Sequence, residues 1–366
     1  MPSPLEHVVV VGASLAGLRA CEGLRQQGYE GRITLLGDEV EPPYDRPPLS
    51  KAFLAGDWDA ERIRLRKAEV LSTLHLDMRL GARATSLGTA AARLGLADGS
   101  SVAYDGLIIA TGAAPRRLPG QPDVEGVLSL RTLADSSALR SLLTAPRDRP
   151  ARLVVIGAGF IGCIIMEALA SRGVELTVVE MGDRMVPRMM GPVAGGMIRQ
   201  WCEKKGVHVR TGARVEAIVP GDTGQPLKVR LSTGEKIDAD LVISATGVRP
   251  SIHFLEGSGI NCLQGILTDE HLQTSVPGVF AAGDCAEAFD KVSGRTIVSA
   301  IQPNAAEQAR VAALNMLGQT TALKGVTQIN VLDTLGLIST SFGNWQGVPG
   351  GEHAELGVER LARAFS

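Results

Sequence analysis

Short, wholly apolar runs that lead straight into glycine turns mark the frame of this chain. Leu153–Ile156 is such a run, suited to a strand buried on both faces of a parallel sheet. It enters a loop with Gly157, Gly159 and Gly162, then an apolar helical segment ended by Gly173, then a second strand, Val174–Val179, closed by Glu180. This is the order of a dinucleotide-binding unit. The first glycine makes a tight turn, the second lets backbone approach a diphosphate, and the third lets helix and sheet pack closely; an acid about 20 residues on can hydrogen-bond a ribose. The pattern also occurs earlier, from Val8 to Gly37, with Gly12, Ser14 and Gly17 in the loop. Ser14 is small enough to keep the approach open, and its spacing from Gly17 is one residue too long for a nucleophile elbow. Because this strand ends at Gly37, the ribose acid is expected at Asp38, with Glu39 as the alternative.

The repeat extends further. Asp105–Pro115, DGLIIATGAAP, is an apolar strand running into a glycine turn, and Asp240–Pro250, DLVISATGVRP, matches it, so two related nucleotide-binding halves are expected. Thr268–Glu287 holds a turn at Pro277 and Gly278, a buried strand, and Gly283 and Asp284 at its C-terminal end, where parallel sheets bind ligands. Pro303–Leu317, alanine-rich with a leading proline, predicts a helix. Pro42–Lys51, PPYDRPPLSK, is too rich in proline for a helix or central strand and predicts a stiff extended loop. Arg62, Arg64 and Arg66 alternate, followed by Lys67; as a strand they would form a basic docking face, and the plainer reading is solvated surface.

Composition narrows the classes. At 366 residues with 45% hydrophobic content, the chain supports two or three domains, each with its own core. A formal charge of -2 argues against a general nucleic-acid or membrane-surface binder, and no apolar run reaches transmembrane length. Met1–His7 carries no Lys or Arg, so a signal peptide is not indicated and a cytoplasmic protein is expected. Cys21, Cys163, Cys202, Cys262 and Cys285 form no CxxC pair, which leaves reduced thiols as the expectation. His7, His75, His208, His253, His271 and His353 lack ligand spacing, so no metal site is expected.

With these motifs in view, the chain resembles the two-dinucleotide flavoprotein reductases and, within them, the ferredoxin and rubredoxin reductases. The resemblance is carried by VVVGASLAGLRA, YDRPPLSK, LIIATGAAPR, VVIGAGFIG, VISATGVRP and VFAAGDCAE, of which YDRPPLSK is specific to this subgroup. It implies an α/β fold of two Rossmann-like domains, one for FAD and one for NAD, plus a short α+β C-terminal segment. It also implies passage of electrons from NADH through FAD to a small iron-sulfur protein. On that resemblance Gly12, Ser14, Ala16 and Gly17 line the FAD diphosphate, Asp38 its ribose, Arg46 and Lys51 the far side of the flavin, and Ala84 the adenine. Ala110, Thr111, Gly112 and Arg131 border the FAD, Gly283 and Asp284 hold its ribityl chain, and Ile301 and Gln302 lie beside the ring. Gly157, Gly159, Phe160, Ile161, Gly162, Glu180 and Gly247 bind the nicotinamide dinucleotide. Glu180 favours NADH, since it would repel a 2'-phosphate, although Arg184 nearby leaves some NADPH use open. Hydride transfer requires no protein acid or base, and none is assigned.

Three departures qualify the resemblance. Ile164 stands where the family has a glutamate near the nicotinamide, with Glu167 unable to replace it simply; the aromatic FWSDQ-type motif is absent; and the C-terminal part is short, with Trp345 a weak substitute for flavin shielding. The alternatives are the FAD and NADH subunit of a nitrite-reductase-like enzyme, an NADH oxidase-like enzyme, and a redox-dependent interaction module akin to apoptosis-inducing factor. The expected layout is a discontinuous FAD domain, 1–118 and 246–322, an inserted NAD domain, 119–245, and a truncated C-terminal interface segment, 323–366.

Overall fold

The computed structural model describes residues 5–170, 172–221, 226–290, 293–326 and 329–343; Trp345 and His353 lie outside them. The chain forms two compact units, the first from Met1–Arg46, Asp59–Ala114 and Val248–Thr327, the second from Pro47–Trp58, Pro115–Gly247 and Gln328–Ser366.

The first unit is built on a five-stranded parallel sheet in the order Val279–Ala281, Gly106–Ile109, His7–Val11, Arg32–Leu36, Leu76–Arg79. Its central strands are apolar at nearly every position because both faces are covered. On one face Val8, Val10, Ile33, Leu35 and Ile108 pack with the helices Leu15–Gln26 and Gln302–Met316. On the other, Val9, Val11, Leu36, Leu107 and Ile109 pack with residues of the antiparallel strands Ala84–Gly88, Arg93–Leu96 and Ser101–Ala103. The two helices touch closely: a Cβ on Gly23 would lie 3.0 Å from Ala313 Cβ.

The second unit repeats this plan with the order His208–Thr211, Glu175–Glu180, Arg152–Ile156, Leu241–Ser244, Val127–Ser129, again parallel throughout. The helix Phe160–Ala170 carries Ile164, Ile165, Met166 and Leu169 into its core. The hairpin Ile329–Thr334 and Leu337–Phe342 belongs to this unit: Leu332 is buried in its core, and Trp201 Nε1 donates to Leu335 O at 3.1 Å. The hairpin's other face presents Ile329, Val331, Ile338 and Phe342 to solvent.

The division differs from the expected layout at Pro47–Trp58, which groups with the second unit. Leu54 is fully buried in that unit's core, Ser136 Oγ donates to Leu49 O at 2.7 Å, and Arg172 donates to Leu54 O at 2.6 Å. The arginine run does not form the strand that a basic face would need. Arg62–Arg66 is a set of turns with one isolated bridge, Arg64 to Tyr44, and not a strand. Arg64 pairs with Glu61 at 3.0 Å and Arg66 with Glu22 at 2.7 Å, so the alternating spacing forms no shared basic face. Glu22, 7% exposed on the first helix, is neutralised by Arg66 together with Arg19 at 2.9 Å.

No helix among the described residues is long and apolar enough to cross a membrane.

Two carboxylates link stability to pH. In the second unit Asp240 accepts both Arg149 nitrogens, at 2.7 and 2.8 Å, and the Arg152 N–H at 2.8 Å; the Arg149 bonds hold its carboxyl far below the usual range. In the first, Arg79, then Arg32 and Thr34, bring Asp77 down to about 2. Folded values below the unfolded ones mean stability that is complete above about pH 4 and is lost as pH falls toward about 2. Asp240→Asn should therefore melt lower than the wild type at pH 7 and show a shallower acid decline, read from melting curves between pH 7 and 2.

Candidate functional site

The two glycine loops have one geometry. Gly12 N–H donates to Leu36 O at 2.8 Å and Ala110 N–H to Val11 O at 2.7 Å; Gly157 N–H donates to Val179 O and Ala245 N–H to Ile156 O, both at 2.8 Å. Each first glycine lies against the carbonyl end of the neighbouring Ala-Thr-Gly strand: a Cβ on Gly12 would meet Ala110 O at 2.0 Å, and one on Gly157 would meet Ala245 O at 2.5 Å. Both have positive φ, +115° and +102°. Each third glycine faces the first, since a Cβ on Gly17 or Gly162 would fall 1.8 or 2.0 Å from the Gly12 or Gly157 carbonyl oxygen. The middle positions are different. Ser14 has an extended backbone, φ -122° and ψ -159°, which any residue adopts, and Gly159 looks into open space. Serine is thus accommodated at this place without backbone strain.

The acids are not equivalent. Aligned on these hydrogen bonds, Gly37 occupies the position of Glu180. A side chain at 37 would clash, its Cβ 2.8 Å from Ala13 Cβ, so the acid comes one residue later. Asp38 there is paired with Arg83 through two bonds of 2.8 Å. Glu180 is anchored instead on its own loop, accepting the Ala158 and Gly182 N–H groups, each at 2.8 Å.

Of the other expected residues, some meet the first loop and others are placed elsewhere in the first unit. Arg46 reaches Ser14 Oγ at 3.3 Å, Tyr44 Oη at 3.2 Å and Glu39 at 2.7 Å. A Cβ on Gly283, in the turn that carries Asp284, would sit 3.0 Å from Ala16 Cβ. Thr111 Oγ1 donates to Ser251 O at 2.8 Å, and Gly112 O accepts Ser251 N–H at 3.0 Å. Ile301 caps the helix Gln302–Met316, and Gln302 donates to the Asp45 carboxylate. Ala84 opens an antiparallel strand and packs against the cluster containing Leu36.

In the second unit Phe160 and Ile161 begin the helix after the loop, and Gly247, φ +101°, accepts Arg116 N–H at 2.9 Å. Lys51 and Arg131 also belong to this unit; Lys51 is an exposed helix cap, and Arg131 N–H donates to Asp135 at 3.0 Å ahead of a capping box. Ile164 is 7% exposed and packs in the core, while Glu167 accepts Gly336 N–H at 3.2 Å.

One further residue escaped the sequence reading. Gln308, 1% exposed, accepts Gly283 N–H at 2.8 Å and fixes the Gly-Asp turn. It is one of four amides on an alanine-rich helix, with Gln302, Asn304 and Asn315, so the sequence did not single it out.

The thiols carry no nucleophile. Burial pushes Cys21, Cys163 and Cys202 up to about 12 and raises Cys262 and Cys285 as well, so all five stay protonated at neutral pH.

Two parallel sheets that share four corresponding strands, each with a glycine loop at the C-terminal end of its central strand, define an oxidoreductase of the two-dinucleotide type. The chain belongs to the pyridine nucleotide-disulphide oxidoreductase family, whose model matches residues 6–312. It is 37% identical over 316 residues to the biphenyl dioxygenase system ferredoxin–NAD(+) reductase component of Paraburkholderia xenovorans (strain LB400), covering 86% of this chain and 76% of that protein. It is 34% identical over 369 residues to the NADH-dependent phenylglyoxylate dehydrogenase subunit epsilon of Aromatoleum evansii, covering 99% of this chain and 86% of that protein. The crystal structure of the covalent putidaredoxin reductase–putidaredoxin complex matches with a TM-score of 0.86 and 31% identity, over 92% of this chain and 80% of that one.

Two expectations follow. Gly157→Ala should lose stability through the 2.5 Å approach to Ala245 O, while Gly159→Ser should unfold within about 0.5 kcal/mol of the wild type in denaturant titrations. Ile164→Glu should cost about 3 kcal/mol or more in the same titrations, because it places a carboxylate in an apolar core.

Proposed function

We propose that this protein is an FAD-dependent NADH oxidoreductase that passes electrons between NADH and a small iron-sulfur protein of the ferredoxin or rubredoxin kind. The first unit would hold FAD and the second NADH. The carrying observation is the duplicated loop geometry, in which a strand carbonyl fills the place of a glycine Cβ and each loop runs into a helix N-terminus, where a diphosphate would bind.

The residues of the first unit fit FAD. Gly12, Ser14, Ala16 and Gly17 would meet its diphosphate, and Ala110, Thr111 and Gly112 the next part of the molecule. Gly283 and Asp284, in the turn fixed by Gln308, would hold the ribityl chain, and Arg46, Ile301 and Gln302 would flank the ring. Asp38 would lie toward the adenosine ribose and Ala84 toward the adenine. The chemistry supplied when FAD is bound is acceptance of a hydride and release of single electrons. This chain's part is to bind, orient and keep each nucleotide in register, with no side chain assigned to proton transfer.

Gly157, Gly159, Phe160, Ile161, Gly162 and Gly247 would cradle NADH. Glu180, held rigid by two backbone N–H groups, would accept the adenosine ribose hydroxyls and repel a 2'-phosphate. Arg184 is committed to Met190 O at 3.1 Å and Asp183 at 2.8 Å, which supports NADH over NADPH. The protonated thiols speak against a disulfide or peroxide reductase, whose chemistry requires a reactive thiolate. Five free cysteines accord with a cytoplasmic setting.

A second reading is favoured by the relative that aligns over 99% of this chain, named as a subunit of an NADH-dependent dehydrogenase. On it, the same two sites serve within a larger assembly, and the iron-sulfur partner is a stable subunit.

Purified protein should show flavin absorbance that anaerobic NADH bleaches and NADPH bleaches far more slowly. A ferredoxin or rubredoxin should then be reduced in stopped-flow mixing. Protein without flavin absorbance, or flavin that NADH leaves oxidised, defeats the proposal.

A further inference from the structure

The loop after Glu180 carries two arginines with different fates. Arg184 is folded into the loop through Met190 O and Asp183. Arg188 is exposed and, among the described residues, makes no hydrogen bond or ion pair. Its Nη1 lies 3.9 Å from the point a Cβ on Gly247 would occupy.

That location is specific within the sheet. Arg152–Ile156 is flanked by Glu175–Glu180 on one side and Leu241–Ser244 on the other, so the ligand crevice opens outside the carboxyl ends of these strands. Glu180 closes the strand on the adenosine side. Gly247 follows the strand on the opposite side, toward which the rest of a bound dinucleotide extends. Arg188 therefore stands beyond the midpoint of the crevice, away from the adenosine ribose.

The chain goes to some length to put it there. Val186 has φ +51°, a left-handed conformation that a β-branched side chain disfavours strongly, and the residue is 1% exposed. Strain of this kind persists only where surrounding contacts impose it. Here Val186 N–H donates to Ala158 O at 2.8 Å, inside the glycine loop, and Val186 O accepts Met189 and Met190 N–H, each at 3.0 Å. The loop is thus fastened to the nucleotide-binding turn one step before Arg188, which is turned toward Gly247.

We propose that Arg188 is a positioning residue that donates to the diphosphate of the pyridine dinucleotide from the nicotinamide side of the crevice. This rests on the NADH reading of the second unit. A guanidinium binds paired phosphate oxygens through its planar fork, and an exposed, unpaired one gives up no existing bond to do so. A 2'-phosphate is the less suited anion, since it would lie beside Glu180.

The test uses the holoprotein with Arg188→Gln and Arg188→Lys, and calorimetric titration with NAD+, ADP-ribose and AMP. The Gln variant should bind NAD+ and ADP-ribose about tenfold more weakly, with AMP little changed and a flatter salt dependence; the Lys variant should recover part of the loss. Melting temperatures should match, because among the described residues the side chain has no partner to lose. Equal NAD+ affinity in wild type and Arg188→Gln overturns the proposal, as does a loss shared equally by AMP or confined to NADPH. A wild type that binds no NAD+ would instead overturn the NADH reading itself.

Discussion

Each glycine loop in this protein crosses directly over the carbonyl end of the strand beside it, and that crossing governs much of what surrounds it. Ala110 O and Ala245 O lie where the Cβ of Gly12 and Gly157 would be, so the loops can close on the sheet only with hydrogen at those positions. The closure sets the start of each following helix, and with it the direction in which backbone N–H groups face. It also explains why the Ala-Thr-Gly strand recurs with the glycine motif. The two segments are halves of one contact, and a change in either would have to be answered in the other.

Much of this was legible in the sequence because it depends on local rules. Uniform apolar runs such as Leu153–Ile156 and Val8–Val11 identified parallel strands, the glycine spacing identified the turns, and the repeat identified the four strands the two sheets share. The offset of Asp38 relative to Glu180 was visible in advance, but its cause, the tight packing of Gly37 against Ala13, was not. What remained hidden depends on contacts between distant parts of the chain. Pro42–Lys51 read as a stiff extended loop, and its end, with the residues to Trp58, is fastened to the second unit by Ser136 and Arg172. Arg66 looked like surface charge and instead neutralises buried Glu22. Gln308 gave little sign because it is one of four amides on its helix, and only the N–H of Gly283 singles it out.

The position of Ile164 shows how a sequence departure changes meaning in three dimensions. Considered as a missing glutamate, it suggested a defect at the nicotinamide end. In the structure it is one of the apolar residues that seat the Phe160–Ala170 helix on its sheet. Glu167, the nearest acid on that helix, is engaged with the hairpin turn at Gly336, so the helix surface joins the C-terminal segment to the second unit. On this helix Ile164 and Glu167 hold the architecture.

The discontinuity of the first unit has a consequence for how the protein is made. Its sheet lacks the edge strand Val279–Ala281, and its first helix lacks its partner Gln302–Met316, until nearly the whole chain has been synthesised. At translation rates of about 5–20 residues per second, the N-terminal strands would wait on the order of 10–40 s with apolar faces uncovered while most of the second unit emerges. The Leu15–Gln26 helix, which carries Gly23 and Ala20 toward its absent partner, would spend that interval as the part of the nascent chain most in need of a chaperone.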